Sequence, residues 1–106
     1  MGSWGYGIFE NDSACDVRDR FNQKLKLGMN VSEATQACVA WWPECLQDFN
    51  ALLAVAALQI ERNNLQQEIK KTCLQGIEEK REVSTWNDPD KRMKVLENFK
   101  KKLINN

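Results

Sequence analysis

Apolar residues recur at intervals of three and four along most of the 106-residue chain, and this spacing places them on one face of a helix. Five stretches follow the pattern and predict helices over approximately residues 12–27, 31–42, 44–63, 65–83 and 89–103. No stretch shows the alternation of β-branched and polar residues that is typical of a half-buried strand. The pattern therefore predicts an all-α fold, a compact single domain of about five helices spanning residues 1–106.

Residues with strong positional preferences mark the predicted helix ends. Gly28 is suited to ending the first helix in the left-handed conformation. Asn30 and Glu33 have the spacing of a capping box at the start of the second helix. Pro43 cannot continue that helix and is suited to the first turn of the third. The Asp88-Pro89 pair starts the fifth helix, with the aspartate as cap.

The third predicted helix is apolar around nearly its whole circumference from Ala51 to Leu58. Because a helix of this kind packs against neighbours on several sides, we expect it at the centre of the fold. The fourth predicted helix contains Gly76, which costs about 1 kcal/mol relative to alanine inside a helix. Gly76 is therefore expected either to admit a neighbouring ring or to let the helix bend.

The first twelve residues form an aromatic and glycine-rich segment, which we call the lead. Its large side chains bring much apolar surface to an extended segment, so Trp4, Ile8 and Phe9 are expected to dock beneath the later helices. Asn11 or Asp12 is expected to cap the first helix. We therefore assign the lead a structural role.

The lead and the start of the first helix carry the pattern Trp-Gly-x-Gly-x-Phe-x-Asn-Asp-x-Ala-x-Asp. It is formed by Trp4, Gly5, Gly7, Phe9, Asn11, Asp12, Ala14 and Asp16. This pattern resembles the opening of an uncharacterised bacterial family, a domain of unknown function in which an aromatic-glycine segment precedes a small helical domain. The resemblance continues in the alanine-rich stretch 52–58 and in a closing segment formed by Trp86, Asp88, Pro89 and Arg92. It implies a fold and assigns no activity.

Composition narrows the classes of protein that the chain can represent. Apolar residues make up 42% of the sequence, enough to bury a core without covalent cross-links. The N-terminus lacks a basic start followed by an apolar segment, and no long uncharged run is present, so we expect a cytoplasmic protein with no membrane partner. The four cysteines are then expected to be reduced thiols, three of them in the core. They are Cys15, Cys38, Cys45 and Cys73.

Charge is distributed unevenly although the formal net charge is zero. From Leu27 to Glu61 there is no lysine or arginine, while Glu33, Glu44 and Asp48 are present. From Arg62 onward, eleven basic residues face seven acidic ones. Such asymmetry affects the choice of partner and the rate of encounter with it.

The residues that usually carry catalysis are scarce. The chain has no histidine and no closely spaced cysteine pair, so we expect no enzyme activity, zinc site or cofactor. Two alternatives stay open. Glu10, Asp12 and Asp16 could bind a divalent metal in a carboxylate-based enzyme, although helix capping also explains them. The C-terminal lysines could bind nucleic acid, although acidic residues are mixed among them and the sequence pI is near 6.3.

These observations favour a binding protein. Adjacent Trp41 and Trp42 point about 100° apart on a helix, so either one ring is exposed or both are sealed under the lead. Exposed tryptophan is typical of binding hot spots. We predict an immunity protein that binds a bacterial toxin in a 1:1 complex, plausibly a nuclease of a contact-dependent growth inhibition system. The acidic surface would occlude the basic cleft of the toxin, with no direct contact to nucleic acid. The predicted toxin-binding residues are Glu33, Trp41, Trp42, Glu44 and Asp48.

Overall fold

The computed structural model describes residues 6–106, and five α-helices account for most of them. The helices are α1 (Asp12–Lys26), α2 (Val31–Trp41), α3 (Phe49–Glu61), α4 (Gln67–Glu78) and α5 (Pro89–Ile104), with a short 3-10 helix at Val83–Thr85. Residues 6–106 contain no β-strand, so the predicted all-α single domain of five helices is confirmed. None of the described helices is long and apolar enough to cross a membrane.

Helix α3 lies at the centre of the fold, as its apolar circumference predicted. It packs against α1, α4 and α5, and α1 in turn packs against α2. Residues 51–56 of α3 are all buried. Phe21 of α1, Cys73 of α4 and Leu96 of α5 close the core around it. Burial of this apolar surface is the main favourable contribution to folding.

The predicted helix ends form largely as expected. Asn11, rather than Asp12, caps α1, because its Oδ1 accepts a hydrogen bond of 2.8 Å from the Ala14 amide. Gly28 has a φ of +95° just beyond α1, a conformation that residues with a Cβ rarely adopt. At the start of α2, both hydrogen bonds of the capping box between Asn30 and Glu33 are present.

The start of α3 was predicted five residues too early. Residues 43–47 form turns, so Pro43 does not lie in the first turn of α3. The helix begins at Phe49 because two carboxylates satisfy its first amides. Asp48 Oδ1 accepts from the Ala51 amide at 3.2 Å, and Glu82 Oε2 accepts from the Phe49 amide at 3.0 Å.

The end of α4 was predicted five residues too late. The helix ends at Glu78, and both Lys80 and Glu82 have left-handed backbone angles, with φ of 53° and 61°. This turn lets Glu82 reach the first amide of α3, and it lets the Arg81 guanidinium donate to the Gln47 carbonyl. Contacts with a distant segment therefore offset the cost of the left-handed residues.

Gly76 admits a neighbouring ring, which was one of its two predicted roles. A Cβ at this position would lie 2.5 Å from Cε1 of Phe49, so only glycine lets that ring pack here without a shift. The helix continues across Gly76 from Gln67 to Glu78. The close approach of the Phe49 ring therefore explains why a glycine, which helix propensity disfavours, occupies position 76.

A buried polar cluster ties α2 to the central helix. The Gln59 side chain is fully buried, and its Nε2 donates at 3.0 Å to both Thr35 Oγ1 and Gln66 Oε1. The Gln66 amide donates back to Gln59 Oε1 at 3.0 Å. Because buried amides are costly when unpaired, this network favours one position of α2 on α3. It thereby helps to position Trp41 at the end of α2.

Candidate functional site

The lead and the closing segment meet at Arg92, although 85 residues separate Gly7 from Arg92. The guanidinium of Arg92 donates through one nitrogen to the Tyr6 carbonyl at 2.9 Å and to the Gly7 carbonyl at 3.4 Å. Its other terminal nitrogen donates to Asn50 Oδ1 at 3.0 Å. The Trp86 ring centroid lies 4.2 Å from the guanidinium carbon. One side chain therefore joins the lead, α3 and the segment before α5.

Arg92 is only 1% exposed and forms no ion pair within residues 6–106. Burial lowers the pKa of its guanidinium to about 10, and the nearby Glu82 carboxylate partly opposes this shift. The guanidinium is therefore charged at neutral pH, and carbonyl oxygens, an amide oxygen and an indole ring stabilise it. These contacts indicate a structural site.

The described part of the lead docks as predicted. Ile8 and Phe9 are half-buried and pack against the core, and Asn11 is buried. The rings of Tyr6 and Trp86 lie 5.9 Å apart between centroids. Trp4 and Gly5, which also belong to the predicted structural motif, lie outside the described residues.

The two adjacent tryptophans have different environments. Trp42 packs against the core, whereas Trp41 is 45% exposed, and the two ring centroids are 6.5 Å apart in an edge-on arrangement. The sequence left two possibilities, one exposed ring or two sealed ones, and the structure has one exposed ring. An exposed tryptophan brings a large apolar surface and a hydrogen-bond donor to solvent.

Trp41 lies beside an open groove of about 460 Å³, which we call the Trp41 groove. The remaining lining comes from Asp16, Asp19, Arg20 and Gln23. These four residues follow the spacing i, i+3, i+4 and i+7, so they lie on one face of α1. The Arg20 guanidinium lies 4.4 Å from the centroid of the Trp41 ring. The groove therefore combines an aromatic surface with two carboxylates and one cation.

The acidic residues predicted to bind a toxin lie in two places along the chain. Glu33 is at the start of α2, whereas Glu44 and Asp48 lie in the segment before α3, where the Asp48 amide donates to the Glu44 carbonyl at 3.1 Å. Eight residues of α2 follow Glu33, so Glu33 lies about 12 Å along the helix axis from the end of α2 at Trp41. Glu33 accepts from the Asn30 amide, and Asp48 accepts from both the Ala51 amide and Ser13 Oγ. Glu44 is exposed.

The three carboxylates considered for a metal site have separate surroundings. Glu10 accepts a hydrogen bond of 3.2 Å from the Gly7 amide, and Asp12 lies exposed in the first turn of α1. Asp16 faces the Trp41 groove. Within residues 6–106, no group of three or more acidic or cysteine side chains could hold a metal ion. This geometry gives no support to the metal-dependent alternative.

The cysteines occupy the positions that the sequence predicted. Cys38, Cys45 and Cys73 are buried in the core and Cys15 is half-buried, all as free thiols. Burial raises the pKa of Cys38 to about 11 and that of Cys73 to about 12. Both thiols are therefore protonated at neutral pH and are unsuited to nucleophilic chemistry there.

The fold and these contacts define a small all-helical domain in which an aromatic lead docks on the central and closing helices. The chain belongs to the DUF4259 family, described as a domain of unknown function, which matches residues 2–104. The expected membership of an uncharacterised domain family is thus confirmed. Comparison with curated proteins finds no match, and comparison with solved structures finds none either.

Proposed function

We propose that this protein is a binding protein that neutralises a bacterial toxin, a nuclease of a contact-dependent growth inhibition system. In this proposal it covers a basic surface of the toxin in a 1:1 complex. The observation that carries the proposal is the half-exposed Trp41 ring beside a groove that also presents Asp16 and Asp19. Tryptophan is enriched at binding hot spots, and carboxylates around it complement a basic partner.

The surface that we propose differs in part from the acidic residues chosen from the sequence. Trp41 and Glu44 remain candidates because both are exposed. Asp16 and Asp19 join them from the polar face of α1. Glu33 and Asp48 belong in the proposal only as caps that hold α2 and α3, and Trp42 only as a ring that packs against the core.

Electrostatics also favours a basic partner at this surface. The lining of the groove carries two carboxylates and one guanidinium. The described ion pair at its edge, between Arg18 Nε and Asp19 Oδ1, is 3.7 Å long and highly exposed. Such pairs contribute little, so the Asp19 carboxylate is readily available to a partner. An acidic surface around a hot spot accelerates association with a positively charged cleft.

The direct test is to look for a toxin domain encoded beside this gene and to coexpress the two. Growth rescue by the wild-type protein and a 1:1 complex in calorimetry are the expected results. Trp41→Ala should weaken binding about 30-fold or more, the size expected of a hot-spot residue, with an unchanged melting temperature. Leu27→Ala is the matched control, because Leu27 is 68% exposed and lies outside the groove.

Absence of both rescue and binding would refute the proposal. Equal affinities of the Trp41→Ala and Leu27→Ala proteins would show that the toxin uses another face. The nucleic-acid alternative stays a prediction, and a gel shift at low salt tests it, because binding through lysines strengthens as salt falls. Binding that survives at high salt would contradict a lysine-based contact.

A further inference from the structure

The Trp41 ring already binds a cation within its own chain. The guanidinium carbon of Arg20 lies 4.4 Å from the ring centroid, well within the range of a cation–π contact. The ring is nevertheless 45% exposed. The geometry therefore shows that the indole accepts a guanidinium, and it leaves ring surface open to solvent.

Of the two carboxylates in the groove, Asp19 pairs with Arg18, whereas Asp16 forms no ion pair among the described residues. Within the described part of the chain, the ion pairs join Arg18 to Asp19 and Arg81 to Glu82. Neither pair involves Asp16 or Arg20. A guanidinium entering the groove would therefore meet an aromatic surface and two carboxylates on one face of α1.

We propose that the Trp41 groove receives an arginine side chain of the partner protein, stacked on Trp41 and paired with Asp16 and Asp19. This inference rests on the proposed function and names the chemistry that the partner presents. Arginine suits the groove better than lysine, because its planar group stacks on aromatic rings, binds carboxylates through two nitrogens and is more weakly hydrated. Arg20 competes with the incoming arginine for Trp41 and leaves the ring when the partner binds.

The probes are an N-acetylated hexa-arginine amide and the corresponding hexa-lysine amide. Each is titrated into the full-length protein, and the tryptophan indole N–H signals are followed by NMR, with Trp41 assigned from Trp41→Phe. We expect hexa-arginine to shift the Trp41 signal and to bind at least about threefold more tightly than hexa-lysine. The signal of Trp86, which stacks on the buried Arg92 guanidinium, serves as an internal control.

Variants of the groove separate its contributions. Asp16→Asn with Asp19→Asn should weaken hexa-arginine binding at least about fivefold, whereas neutralising the exposed Asp90 and Glu97 of α5 should not. Removing the competing cation with Arg20→Gln should tighten binding about two- to fivefold, the size of an exposed cation–π contact. All these residues except the partly buried Arg20 are exposed, so the variants are expected to fold.

The outcomes distinguish this inference from the proposed function. Equal binding of both peptides, an unshifted Trp41 signal, or weaker binding by Arg20→Gln would overturn the arginine site, even if the protein neutralises its toxin. Conversely, selective binding of hexa-arginine without toxin neutralisation would leave the arginine site standing and refute the proposed function.

Discussion

Arg92→Met removes all hydrogen-bond donors of the buried Arg92 side chain. It keeps an unbranched apolar side chain that can occupy the space of the aliphatic part of arginine. Two hydrogen bonds of good length are lost, to the Tyr6 carbonyl at 2.9 Å and to Asn50 Oδ1 at 3.0 Å. The stacking of the guanidinium on Trp86 is lost as well. The acceptors are then left with fewer partners in a partly buried site, which is where lost hydrogen bonds are most costly.

The expected magnitude follows from these contacts. Hydrogen bonds from a charged donor contribute about 1.5–3 kcal/mol each, and a cation–π contact adds about 1 kcal/mol. Release of the buried charge offsets part of this sum, because desolvation of the guanidinium opposes folding. We therefore expect the free energy of unfolding to fall by about 3–4 kcal/mol, a large fraction of the total for a domain of this size.

Urea unfolding followed by circular dichroism measures this change directly. Lys94→Met is the matched control on the exposed side of α5 and should alter the free energy of unfolding by less than about 0.5 kcal/mol. The change in the free energy of unfolding for Arg92→Lys should lie between those for Arg92→Met and Lys94→Met, because lysine keeps the charge but lacks the planar guanidinium group. If Arg92→Met unfolds within about 1 kcal/mol of the wild type, the assignment of Arg92 as the link between the lead and α3 is wrong.

Three further predictions follow from the core. Gly76→Ala should destabilise the protein by about 1–2 kcal/mol in the same urea assay, because overlap with the Phe49 ring outweighs the gain in helix propensity; a stabilised variant would contradict the close approach. In the native state, iodoacetamide should modify Cys15 well before Cys38 and Cys73, as mass spectrometry would show, and simultaneous labelling would argue against their burial. Between pH 9 and 11 the free energy of unfolding should fall by about 2 kcal/mol less in Cys38→Ala than in the wild type, because the Cys38 thiol ionises at lower pH in the unfolded chain; equal falls in the two proteins would contradict its burial, and Cys73 contributes a fall of the same sign to both.

Local sequence patterns predicted the helices because their information lies within a few residues. The spacing of Ala14, Val17 and Phe21 and the capping box at Asn30 need no knowledge of distant contacts. The start of α3 and the end of α4 were mispredicted for the opposite reason. Both ends depend on the hydrogen bond from the Phe49 amide to Glu82, which joins residues 33 positions apart. No local pattern contains that contact.

The candidate binding surface was predicted only in part. The angle between adjacent side chains on a helix indicated that one of the two tryptophans could be exposed, but it did not say which one. The acidic patch was inferred from the order of charges along the chain, which does not show whether a carboxylate is already bonded. Glu33 is an example, since the sequence predicted it both as part of the capping box and as a toxin-binding residue, and in the structure its carboxylate forms the capping box. The shared face of Asp16 and Asp19 was visible in the helical spacing, but the groove also needs α2 packed beside α1.

The resemblance in sequence and the proposed binding surface fall on different parts of the molecule. Gly7, Trp86 and Arg92 come from the opening and closing segments of the resemblance, and they meet where the lead joins the helices. Of the residues lining the Trp41 groove, only Asp16 belongs to those segments. Because exposed positions tolerate substitution far better than buried ones, we expect substitutions in the groove to cost less stability than substitutions at Arg92. Family membership therefore informs the architecture, whereas the proposed binding surface has to be tested by substitutions in the groove.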